Sequence, residues 1–196
     1  MMTDGMLTLD AATTALVLID LQRGIVAGDT FPNASMDVVA RAARLAAACR
    51  DAGVTVVLVR VDPGPAGVLF PRPQADQPRP ASKPSADFAE LMPELGERPA
   101  DVVVTKHQPN AFYSTDLEVH LVRRRIRTII LAGISTNLGV EATARAAHER
   151  GYEQIFVPDA MAARELDLHE HTVRRILPTM GRVRPLDVVL AALGKA

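Results

Sequence analysis

Six alternations of a short apolar run with a helical pattern predict an α/β protein, a parallel sheet with helices on both faces and right-handed crossovers. The apolar runs are β-branched and nearly unbroken, as strands covered on both faces are. Turns or charged residues follow them: Asp20 closes TTALVLID, Lys106 follows DVVVT, and Gly139 lies in the turn after TIILA. In open sheets of this class the site lies beyond the strand C-terminal ends, where the strand order reverses. Asp20, Lys106 and the 133–139 turn are therefore expected to converge.

The first strand is predicted over 13–21, before a turn containing Gly24 and Gly28. Residues 35–52 read as a helix with Ser35 as N-cap, Asp37 in the first turn and Val38, Ala42, Leu45 and Cys49 on one face. Gly53 closes that helix, and 54–61 is the second strand. The stretch 62–84 holds seven of the fourteen prolines, which predicts an irregular surface loop, with a lid or subunit contact as the functional alternative. A short helix is expected over 85–95, a third strand over 101–105, and a helix over 115–125 with a Thr115/Glu118 capping box. The fourth strand spans 128–132, and the helix after the central turn runs over 137–150. A fifth strand at 154–157, a helix at 168–177, a short sixth strand around Val183 and a terminal helix at 186–193 complete the pattern.

The length of 196 residues suits a single domain spanning 1–196. A formal net charge of −1 gives no support for a nucleic-acid partner. The basic cluster Arg123, Arg124 and Arg125 ends a helical pattern, where cations suit the helix dipole, and carries no aromatic interleaving. One cysteine, Cys49, excludes an internal disulfide and reads as a small buried apolar side chain in a predicted helix, with a reactive thiol as the alternative. Residues 1–10 lack a leader's apolar core, and no apolar run approaches the ~18 residues of a membrane span. A cytoplasmic protein without membrane association is expected.

Nucleotide binding is the natural rival for such a sheet. The first strand, however, is followed by DLQRGIVAG rather than a G-x-G-x-x-G, and no P-loop is present. His107, His120, His148, His169 and His171 are scattered, and His169 and His171 at i, i+2 of a helix point apart, so no metal or other cofactor is expected. Asp20 ends an apolar run, where desolvation raises a carboxyl pKa while a nearby Lys106 ammonium lowers it. Such an opposed pair holds a proton near neutral pH. The alternative is a loop-capping Asp and a solvated Lys.

TALVLIDLQ, VVVTKHQPNAFYSTDLEVHL and LAGISTNLGVEATARAA, in that order and spacing, resemble the isochorismatase-like hydrolases, or cysteine hydrolase superfamily, over roughly 13–163. The resemblance implies a three-layer α/β/α sandwich around a six-stranded, mostly parallel, Rossmann-like sheet. It places the family's strand-one Asp on Asp20 and its strand-three Lys on Lys106. The nucleophilic Cys of most members falls on Gly139, so thiolate attack with an acyl-enzyme is ruled out at that position. The Asp-x-His of metal-binding members is replaced by RVDPGPAG. Isochorismatases proper have Gly at the Cys position and cleave a vinyl ether to release pyruvate, with Asp as general acid or base, Lys supporting substrate charge and water attacking. The turn STNLGVEATAR otherwise resembles the amidase-like motif with only its Cys changed, a combination similar to a small bacterial subgroup.

The resemblance further implies a cis peptide between Ile134 and Ser135 that presents backbone N–H groups to an oxyanion, and a homodimer or homotetramer. Gln22, Ile134, Ser135, Phe112 and Tyr113 are the expected substrate-binding residues, with Arg60 a weaker pocket candidate; ordinary packing or a subunit contact is the alternative for the two aromatics. The expected activity is hydrolysis of a small carboxylate-bearing metabolite through Asp20, Lys106 and Gly139, without a covalent thioester. A non-catalytic small-molecule binder and an amidase using another nucleophile are the alternatives.

Overall fold

The structure, a computed structural model, describes residues 7–64, 74, 76 and 84–194. Six parallel strands form one sheet: β1 (Thr14–Ile19), β2 (Thr55–Val61), β3 (Val102–Lys106), β4 (Thr128–Ile134), β5 (Glu153–Ala162) and β6 (Arg182–Val183), in the order β3-β2-β1-β4-β5-β6. Helices cover both faces. Every residue of β1 is buried, and β4 is buried at all but its first residue, as the unbroken apolar runs require.

The order runs β1-β2-β3 in one direction and β1-β4-β5-β6 in the other, so the reversal lies between β1 and β4. Ile19 pairs with Gly133 across it. Gly133 has φ +126, and a Cβ there would lie 2.2 Å from the Ile19 carbonyl oxygen, so only glycine lets β4 run this close to β1.

Among the described residues six α-helices flank the strands: α1 (Arg23–Val26), α2 (Ser35–Asp51), α3 (Leu117–Arg123), α4 (Glu141–Glu149), α5 (Leu166–His171) and α6 (Leu186–Leu193). Val38, Ala42, Leu45 and Cys49 of α2 are all buried, as their spacing predicts. The N-cap of α2 is Ala34 rather than Ser35, because the Ser35 hydroxyl donates to the Gly28 carbonyl. Asp116 caps α3 without a side-chain bond, and the expected Thr115/Glu118 box does not form. Thr115 Oγ1 accepts from the Leu117 amide, while Glu118 pairs with Arg150 at 3.1 Å.

The helix expected over 85–95 is instead a run of turns ending in a 3-10 turn at Pro93–Leu95. The backbone groups a helix would use are bonded elsewhere: the amides of Arg23 and Gly24 donate to the Glu90 and Phe88 carbonyls, and the Met92 amide donates to Leu21. The segment thus straps the chain that leaves β1. β5 outruns its expected end because, past a register shift opposite Leu131 and Gly133, it pairs again with β4 through Ala162. After α5 the chain widens into a π turn at Thr172–Ile176 before ending in a 3-10 turn at Leu177–Thr179. The expected lid or loop of 62–84 lies mostly outside the described residues.

Candidate active site

Asp20 follows β1 directly and adopts φ +54, a left-handed conformation that Asp tolerates better than most residues. Its amide donates to the Val59 carbonyl, which fixes the backbone there. Lys106 closes β3, two strands away. With neighbouring strands about 4.8 Å apart, only a long side chain reaches Asp20 from there. Lys106 Nζ lies 2.8 Å from Asp20 Oδ2 and donates to the Pro109 carbonyl at 2.7 Å. The two side chains are 1% and 9% exposed, respectively, so the pair is buried.

Burial is the largest influence on Asp20 and pushes its carboxyl pKa up; the charge and hydrogen bond of Lys106 oppose this, leaving it at about 6. Among the described residues Asp20 Oδ1 is buried without a hydrogen-bond partner. The pair therefore presents one oxygen tied to a cation and one oxygen with its acceptor capacity unused. An ammonium has three donors, and Asp20 and Pro109 account for two of those of Lys106 among the described residues.

Gly139 completes the cluster. It lies in a π turn, Thr136–Val140, that feeds directly into α4. A Cβ built on Gly139 would sit 3.2 Å from both Asp20 Oδ2 and Lys106 Nζ, and 2.9 Å from Ile19 Cγ2. The backbone of the turn is thus in direct apposition to the ion pair. Thr143 holds it from one side: its hydroxyl donates to the Gly139 carbonyl at 2.7 Å and accepts from the Ala111 amide at 3.1 Å. That links the turn to the loop whose Pro109 carbonyl anchors Lys106. The peptide between Ile134 and Ser135 is cis. Ile134 is buried, and the Ser135 carbonyl accepts from the Leu138 and Val140 amides.

The remaining expected residues are placed differently. Gln22 is fully buried, and its side-chain amide is committed to backbone: Nε2 donates to the Val61 and Phe88 carbonyls and Oε1 accepts from the Val61 amide. It ties the ends of β1 and β2 to the 85–95 strap, which leaves no polar atom of its side chain for substrate. Phe112 is in the core, packed on Tyr152 with the Arg150 guanidinium 4.7 Å from its ring centre, the ordinary packing named above as the alternative. Tyr113 is 61% exposed. Arg60 donates from Nε to Thr105 Oγ1. Cys49 is buried in α2, and burial pushes its thiol up to about 12.

Sequence reasoning missed Thr143, Pro109 and the Thr136–His169 contact. A Thr four residues after a turn glycine is a readable signal for a bond back to that glycine's carbonyl. The Pro109 contact uses backbone and leaves no side-chain signature.

The isochorismatase domain model matches residues 14–187. The chain belongs to the isochorismatase family. It is 42% identical over 188 residues to the uncharacterized isochorismatase family protein YecD of Escherichia coli O157:H7, covering 96% of this chain and all of that one. To the Bacillus subtilis family protein YwoC it is 43% identical, covering 94% and 96%. It is 33% identical to the ureidoacrylate amidohydrolase RutB of Methylorubrum extorquens, over 94% of this chain and 84% of that one. Among solved structures, an isochorismatase family protein of Burkholderia thailandensis superimposes with a TM-score of 0.89 at 42% identity, covering 95% and 98%. The chain is thus an isochorismatase-family hydrolase with the α/β fold of its relatives.

Proposed function

We propose that this hydrolase cleaves the vinyl ether of a small carboxylate-bearing metabolite without a covalent intermediate, through Asp20 and Lys106. The observation that carries the reading is the bare backbone of Gly139 against the pair: no nucleophilic side chain stands where a Cβ would lie 3.2 Å from both charges. The remaining chemistry is proton transfer and water addition. Protonated Asp20 delivers its proton to the terminal vinyl carbon, and the positive charge spreads onto the ether oxygen. Water adds to the cationic carbon, its proton returns to the Asp20 carboxylate, and the resulting hemiketal collapses to pyruvate and an alcohol. A carboxyl with a pKa near 6 suits both directions of that transfer. Lys106 orients Asp20 and offers its remaining donor to the substrate carboxylate.

The test is pyruvate release across a panel of vinyl ethers that includes isochorismate. Asp20→Asn is expected to abolish it, and no turnover of any panel member sinks the proposal.

Amide hydrolysis is the second reading, favoured by the 33% identity to a ureidoacrylate amidohydrolase. It needs a nucleophile other than Cys49, which is buried and held protonated. A trapped acyl adduct seen by intact-mass measurement supports it; persistent absence of one during amide turnover counts against it.

A further inference from the structure

The Gly139 turn is held on a second side by α5 and the π turn that follows. Thr136, the first residue of the turn, is fully buried, and its hydroxyl lies 2.8 Å from Nδ1 of His169 on α5. His169 is itself buried, and burial lowers its pKa against the opposing charge of Glu170. One turn further along, Thr172 donates to Glu141 Oε2 at 2.9 Å; Glu141, at the start of α4, also pairs with Arg145 at 2.9 Å. Two side-chain hydrogen bonds thus clamp 169–172 onto 136–141. Neither Thr136 nor His169 is hydrogen-bonded to Asp20 or Lys106.

We propose that His169 and Thr136 are positioning residues for the Asp20–Lys106 pair: their buried hydrogen bond keeps the backbone of Gly139 against the carboxylate and water away from it. The proposal rests on the reading of Asp20 as the acid–base group. The charged group facing Asp20 is Lys106, and neither clamp residue is hydrogen-bonded to it. Cutting the clamp therefore acts on Asp20 through solvation, the largest influence on it.

The experiment follows the Asp20 side-chain carboxyl by carbon-13 NMR titration, assigned by its loss in Asp20→Asn. The variants are Thr136→Val, which is isosteric and removes only the hydroxyl's bonding, and His169→Leu, with Thr136→Ser as the conservative rescue. Thermal unfolding is recorded for each. The expected result is a midpoint near 6 in the unsubstituted protein, lowered by about one pH unit in Thr136→Val and His169→Leu. The double variant is no lower than either single one, and Thr136→Ser stays near the original value. In vinyl-ether turnover the first two lose kcat while KM changes little. An unchanged midpoint with a lowered Tm shows a merely structural bond and overturns the proposal. Should His169→Leu fail to fold, the Thr136 pair decides alone. A midpoint near 4 in the unsubstituted protein overturns the reading of Asp20 itself, and the clamp's role with it.

Discussion

Replacing Asp20 with Asn keeps the side chain's size and removes its proton. In the structure that carboxyl is buried, tied to Lys106 through Oδ2, and raised to about 6. If it donates the proton that starts the reaction, the active enzyme is the fraction in which it is protonated. That fraction is one half near pH 6 and about a tenth at pH 7, so kcat/KM falls about fivefold over that interval and about tenfold for each further unit. General acid catalysis by one positioned group is worth about 10²–10⁴ in rate, and Asp20→Asn is expected to lose at least that much while still binding substrate. The assay is pyruvate release followed by coupled reduction with lactate dehydrogenase, between roughly pH 5 and 8. An Asn variant within about threefold of the parent, or a flat profile over that range, refutes the assignment.

The same carboxyl links stability to pH. Its folded pKa is raised, so the folded chain holds a proton between pH 3.8 and about 6 that the unfolded chain has released. The contribution is full below 3.8 and lost as pH rises through about 6, on the order of 3 kcal/mol in total. Denaturation of the parent and of Asp20→Asn should show the Asn variant gaining by that amount, relative to the parent, across this window; a constant difference contradicts it. Gly133→Ala is expected to leave little folded protein by circular dichroism, because its Cβ would meet the Ile19 backbone at 2.2 Å. Asp101→Ala removes the partner of Arg50, bonded through both Nε and Nη2 with the side chains 8% and 3% exposed, and should cost about 3–5 kcal/mol in urea unfolding.

The sheet was legible because its central strands β1 and β4 are buried apolar runs, and the C-terminal ends of β1, β3 and β4 could be named from Asp20, Lys106 and the Gly139 turn. The 2.8 Å contact between the first two is a consequence of topology: β2 lies between β1 and β3, and a lysine side chain is long enough to cross it. The strap at 85–95 was not legible, since its helical spacing is overridden by backbone bonds to residues 21–24. Gln22 is an expected pocket residue, and only three-dimensional pairing reveals that its amide closes on Val61 and Phe88. Phe112 illustrates the same limit, because an aromatic beside a site lysine has equal reason to fill a core. His169 looked unattached among scattered histidines; its partner Thr136 lies 33 residues away in sequence and is brought to it by the packing of α5.

The most direct test of a hydrolase that works without a covalent intermediate is the intact mass of the protein quenched during steady-state turnover of isochorismate, with pyruvate measured in the same samples. Asp20-dependent pyruvate release from a protein of unchanged mass is the predicted result. An adduct that accumulates and decays with turnover, or no pyruvate at all, contradicts it.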